Sequence, residues 1–152
     1  MFTISPRLDI PHHMAHPYDI EHASDLHVEW CRDLAEKMDV RTTHQSGPQM
    51  RAVMHELRRS LPAESVIEIA NQLPALERGI FLQDWRLDEG PVPLPDADTF
   101  RDRVYQRVKA HHFRVPSLVE DVFWLWNQKL ELQKAAKVAQ ALPSALKPLW
   151  PV

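Results

Sequence analysis

The chain states one pattern twice. Residues 66–81 read VIEIANQLPALERGIF and residues 137–150 read KVAQALPSALKPLW; each holds an alanine, a Leu-Pro pair, a basic residue and a large apolar one. An offset of 69 carries Met50, Val53, Met54, Leu57 and Leu61 onto Val119, Val122, Phe123, Trp126 and Leu130. The same offset carries Ile69, Ala70, Leu73, Pro74 and Arg78 onto Val138, Ala139, Leu142, Pro143 and Lys147. An offset of 70 carries Trp30, Leu34 and Met38 onto Phe100, Val104 and Val108. Every apolar position lands on another apolar one. Spacings of three and four put such residues on one face of a helix. The expected fold is therefore all-α, a helical bundle of two pseudo-repeated multi-helix units packed into one core, because neither unit buries its apolar face alone. The units span about residues 26–85 and 97–150, with a linker over 86–96 and a single domain over 25–152.

Between these stripes lie the helix signals. Asp96 or Asp98 is placed to cap the helix carrying Phe100. Ser117 and Glu120 read as a capping box. Pro74 is expected to open a short helix reaching Phe81 or Asp84, and the stretch RTTHQSGP over 41–48 to interrupt the helical pattern. Alternating prolines over 91–95 favour an extended, polyproline-like path. Residues 1–24 hold Pro6, Pro11 and Pro17 without apolar periodicity, and read as an extended or mobile arm.

Several function classes are excluded by what is scarce. Three widely separated glycines cannot build a phosphate-cradling loop. A net charge of -3 argues against general nucleic-acid binding. Cys31 stands alone, so no intramolecular disulfide and no Cys-Cys metal pair can form. The longest apolar run, Val122 to Trp126, is far too short to span a membrane, and the first residues carry no signal-peptide pattern. The expected compartment is the cytoplasm.

The stretch MRAVMHELRRSLPAESVIEIANQLPALERGIFLQDW, residues 50–85, resembles the bacterial domain of unknown function 2267 family. The matching residues are Arg51, Val53, Leu57, Arg58, Leu61, Glu64, Gln72, Leu73, Pro74, Arg78, Gly79, Ile80, Phe81 and Trp85, with Glu29 and Trp30 upstream. The resemblance covers about residues 20–145. Pro62 departs from it, standing where a capping threonine is expected, and the N-terminal arm has no counterpart. What the resemblance implies is an all-α bundle of two related halves. It brings no catalytic residue to transfer.

Three constellations are candidates for function. The first is the histidine-rich N-terminus, with His12, His13, His16, Asp19 and His22, followed by Asp25 and His27. Imidazole and carboxylate groups suit a divalent metal, the one cofactor this chain would take. No second carboxylate-histidine pair stands on another helix, and the plainer reading is a polar, proline-broken arm. The second is VFWLW. Trp124 and Leu125 occupy positions where the first unit has His55 and Glu56, so this helix is apolar nearly all round. It reads as the central helix, or as a partner or dimer surface centred on Trp124, or as a ligand pocket. The third is the polar set Glu77, Arg78, Asp84, Trp85 and Arg86, read either as surface ion pairs or as a patch for an acidic partner. His55-Glu56 and His111-His112 each suggest a base, but no nucleophile stands at a recognisable spacing. Cys31 is expected to pack, since nothing in the sequence identifies a base beside it.

The function expected from these readings is a non-catalytic protein-interaction or regulatory module, meeting a protein partner or a second copy through Trp124, Leu125, Arg78 and Trp85. The alternative is a metal- or small-ligand-binding protein using the N-terminal histidines. No residue set identifies an enzyme.

Overall fold

A computed structural model describes residues 20–39, 43–110 and 114–152. Among these there are seven α-helices and no strand: α1 Ala23–Met38, α2 Thr43–Arg59, α3 Ala63–Gln72, α4 Ala75–Leu82, α5 Ala97–Val108, α6 Leu118–Lys129 and α7 Leu132–Ala141. A 3-10 turn, Lys147–Leu149, follows. No described helix is long and apolar enough to cross a membrane.

The apolar stripes become the core. Trp30, Leu34 and Met38 of α1 are buried, as are Met50, Val53, Met54 and Leu57 of α2 and Val119, Val122, Phe123 and Trp126 of α6. Enclosing one such side chain is worth about 1.5–3 kcal/mol, which favours this packing over any arrangement that exposes a stripe. Helices α2 and α6 lie at the centre. The first touches α1, α4, α5 and α6; the second touches α1, α2, α7 and the 3-10 turn. Helix α3 packs against α4 and α7. The central position expected for VFWLW is thus met: Leu118, Val122, Phe123, Leu125 and Trp126 all enter the core.

Local signals differ from expectation at two places. Asp96 does cap α5, its Oδ1 accepting from the Thr99 N–H at 2.7 Å. Ser117 does not form a capping box; its hydroxyl donates to Asp121 Oδ2 at 2.7 Å, while Glu120 pairs with Arg101 at 2.5 Å. Charge pairing across helices takes the carboxylate that the box would have used. The second difference is α2, which begins at Thr43 and runs through Pro48 instead of starting after it. Proline lacks the N–H that would close the helical bond, and normally ends a helix. Tertiary contacts hold it here: Ser46 is buried and its hydroxyl donates to the Cys31 carbonyl at 2.6 Å, and Gln49 and Met50 are buried beside it.

The linker is fastened to the end of α2. Val92 N–H donates to the Arg59 carbonyl at 2.8 Å. A side chain at Gly90 would place its Cβ 2.4 Å from the same oxygen, so only glycine permits this approach.

A groove over Cys31 as the candidate functional site

His27 and Cys31 are four residues apart on α1, a spacing that puts both on one face. The Leu73-Pro74 step leaves α3 in an extended conformation and starts α4, whose first turn carries Glu77. Because α4 packs against both α1 and α2, that first turn is pressed onto α1. The His27 Nδ1–H donates to Glu77 Oε2 at 2.7 Å, and its Nε2–H points to Cys31 Sγ at 3.5 Å. Glu77 has no exposed surface, and its other oxygen, Oε1, is buried without a hydrogen-bond partner. A carboxylate so enclosed requires a cation beside it, and His27 supplies one. The imidazole is pushed up to about 10, first by the hydrogen bond to Cys31 and then by that to Glu77, against the opposing effect of burial.

Beside this trio a groove of about 360 Å³ opens between α1, α2 and α4, bordered by Val28, Gly47, Pro48, Arg51 and Ile80. Val28 is an exposed apolar residue, 53% accessible. Arg51 is exposed on the α2 side and donates to the Gln83 side chain. Gly47 faces the thiol: a Cβ there would sit 3.6 Å from Cys31 Sγ and begin to cover it. The lining therefore brings a thiol, apolar side chains and an exposed cation to one groove.

Of the sequence-derived candidates, His27 and Glu77 stand in this trio. His12, His13, His16 and Asp19 lie outside the described residues, as do His111 and His112. His22 precedes α1, with Nε2 3.7 Å from Glu21 and Nδ1 3.6 Å from Asp25. Among the described residues no group of three or more His, Cys, Asp or Glu side chains is arranged to hold a metal ion. Leu125 is fully enclosed and offers a partner no surface. Trp124 is half-buried, with Lys37 Nζ 4.8 Å from its ring centroid. Trp85 is half-buried against the core. Arg78 is exposed, but its guanidinium donates to the Ala70 and Leu73 carbonyls at 3.0 and 2.9 Å. It closes the C-terminal end of α3, where a cation also opposes the helix dipole.

Within the polar set around residue 77, Arg86 does form a surface ion pair, with Asp88 at 3.2 Å, whereas Glu77 is fully buried. Cys31 is buried as expected but has the basic neighbour that sequence reasoning did not find. The His27–Cys31 spacing was visible in the chain; the partner that orients His27 stands fifty residues away. His55 and Glu56 do not act together: His55 Nε2 bonds the Ile80 carbonyl at 2.8 Å, and Glu56 is held by Arg59 and Arg107. Burial, foremost, pushes the His55 imidazole below its ordinary value.

Trp124→Ala is expected to keep the helical circular dichroism signal and to lose about 1 kcal/mol of stability, the size of a partly exposed cation–π contact. A variant that fails to fold would instead make the indole an essential core element.

Residues 27–149 match a family model described as "Uncharacterized conserved protein (DUF2267)". No curated protein matches the chain.

Proposed function

The chain belongs to the DUF2267 family, and we propose that this member is a non-catalytic regulatory module that recognises an acidic peptide segment of a protein partner in the groove between α1, α2 and α4. What supports this reading is the composition of that groove: Val28, Pro48 and Ile80 offer apolar contact, and Arg51 offers positive charge. A space of about 360 Å³ suits a few side chains of a peptide rather than a folded domain. Carboxylates beside apolar residues match that lining, since an Arg guanidinium binds a carboxylate through two parallel hydrogen bonds. This groove replaces the Trp124 region as the favoured recognition surface, because Leu125 is buried.

The scaffold is proposed to be a duplicated unit. In support, α3 and α7 each contain ten residues, and each ends at an extended leucine followed by proline. Arg78 donates to the end of α3, and Lys147 Nζ donates to the Gln140 carbonyl of α7 at 2.6 Å. A basic residue then closes the corresponding helix in each half.

The test is selection of binders from a displayed library of random peptides. Wild-type protein is expected to enrich peptides with acidic residues next to apolar ones, and Arg51→Glu to lose that enrichment. Enrichment without charge preference, or an identical result for Arg51→Glu, would overturn the reading.

A further inference from the structure

We infer that Cys31 is a reactive thiol that exchanges with disulfides bearing acidic groups, with His27 as its proton partner and Glu77 as the residue that orients His27. The proposal uses the same groove as the peptide reading but not the peptide itself.

Three observations carry it. The first is the order of the groups. Sulfur, imidazole and carboxylate stand in line, at 3.5 and 2.7 Å, on two different helices. A nucleophile in reach of a base that a third group holds in place is the arrangement of an activated thiol. The hydrogen bond that His27 Nδ1–H donates to Glu77 fixes which way the ring faces, and the unpartnered, buried Oε1 leaves that carboxylate dependent on His27 for its charge balance. The second observation is access. Cys31 is only 4% exposed, yet it lines the groove, and Gly47 leaves the approach to sulfur uncovered. The third is charge. Arg51 lies on the groove's border, where it would meet an acidic group on the reacting molecule.

The position of Cys31 also chooses the chemistry. It lies in the middle of α1, Ala23–Met38, where backbone N–H groups are consumed by the helix. They cannot hold the oxyanion that an acyl-transfer reaction develops. Disulfide exchange develops no oxyanion and needs only a thiolate and a disulfide sulfur whose partner leaves as a thiolate. The chain has one cysteine, so the disulfide it forms is with another molecule.

The step balances without a further oxidant. Cys31 Sγ, its proton held on His27, attacks one sulfur of the incoming disulfide R–S–S–R. A bond forms between Sγ and that sulfur as the original S–S bond breaks. The second half leaves as the thiolate R–S⁻ and passes to solvent, carrying the negative charge that Sγ gave up, while His27 keeps its proton and its pairing with Glu77. The product is Cys31 joined to S–R, and the groove is then occupied by R. Such an adduct would exclude a peptide from the same space, linking thiol oxidation to recognition.

The experiment follows the reaction of full-length protein with 5,5′-dithiobis(2-nitrobenzoate), a doubly acidic disulfide whose released thiolate is coloured. The same measurement is made with cystamine, a cationic disulfide, using mass spectrometry to count adducts. Native protein at pH 7 is expected to take up one equivalent of the acidic probe, about tenfold or more faster than the same chain unfolded in urea. A buried, unassisted thiol would do the reverse. His27→Gln, checked for helical signal, is expected to react about tenfold or more slowly than wild type. Arg51→Gln is expected to lose the preference for the acidic over the cationic probe. Slower reaction in the native state than in urea, or unchanged reactivity of His27→Gln, would overturn the proposal. The comparison with urea needs no variant, so a misfolded mutant does not leave the question open. Peptide selection and thiol exchange are read separately, so either can fail alone.

Discussion

Arg58→Met is expected to unfold at a free energy about 3 kcal/mol lower than wild type, measured by urea denaturation at pH 7. Arg58 is only 6% exposed. Its Nη1 donates to the Phe81 carbonyl at 2.8 Å and to the Gln83 carbonyl at 2.6 Å, and its Nε donates to Glu89 at 3.0 Å. One side chain of α2 therefore closes the C-terminal end of α4 and fastens the linker that follows. Methionine conserves much of the apolar stem but makes none of these bonds. It strands two carbonyls and a Glu89 carboxylate whose side chain is 19% exposed. The cost of a buried group left without its partner exceeds the net value of the bond itself. A loss below about 0.5 kcal/mol, the level of an ordinary surface substitution, would show that water replaces the guanidinium without penalty.

The second large effect is at His27. His27→Ala is expected to cost about 3 kcal/mol at pH 7, because it leaves the Glu77 carboxylate buried and uncompensated. Adding Glu77→Gln to that variant should recover part of the loss, since the stranded charge is removed. The pH dependence has a defined sign. The folded-state value of His27 is raised from 6.5 to about 10. A cation favoured by folding contributes its full stability below about 6.5, and that contribution is lost as the pH rises through about 10. The gap between wild type and His27→Ala in urea melts should therefore be wide near neutrality and narrow toward pH 10.5. A gap that stays constant across this range would mean that the imidazole is not held protonated by Glu77 and Cys31.

Both predictions concern residues whose types were visible but whose partners were not. Arg58 and Arg78 stand among the residues that match the family pattern, and sequence reasoning placed Arg78 in a recognition patch. The structure has each of them bonding the end of a helix, at Phe81 and Gln83 for one and at Ala70 and Leu73 for the other. An arginine on a helix face gives the same local pattern whether it meets a partner or a neighbouring carbonyl. The distinction depends on where the next helix ends in space.

The periodicity of apolar residues was sufficient by itself to mark the helical class and the stripes that form the core, while the central place of VFWLW was one of three readings that the sequence left open. It could do so because an apolar stripe at helical spacing carries its own address: the hydrophobic effect requires that face to be buried whatever covers it. Tertiary packing decided which polar groups meet across helices. It carried α2 through Pro48 by burying Ser46 against Cys31, and it diverted Ser117 and Glu120 from a capping box to Asp121 and Arg101. It also pressed α4 onto α1, so that Glu77 left the surface, took His27 as its partner and turned that imidazole toward the thiol. Pairing of this kind is set by the approach of segments fifty residues apart. No local spacing encodes that distance.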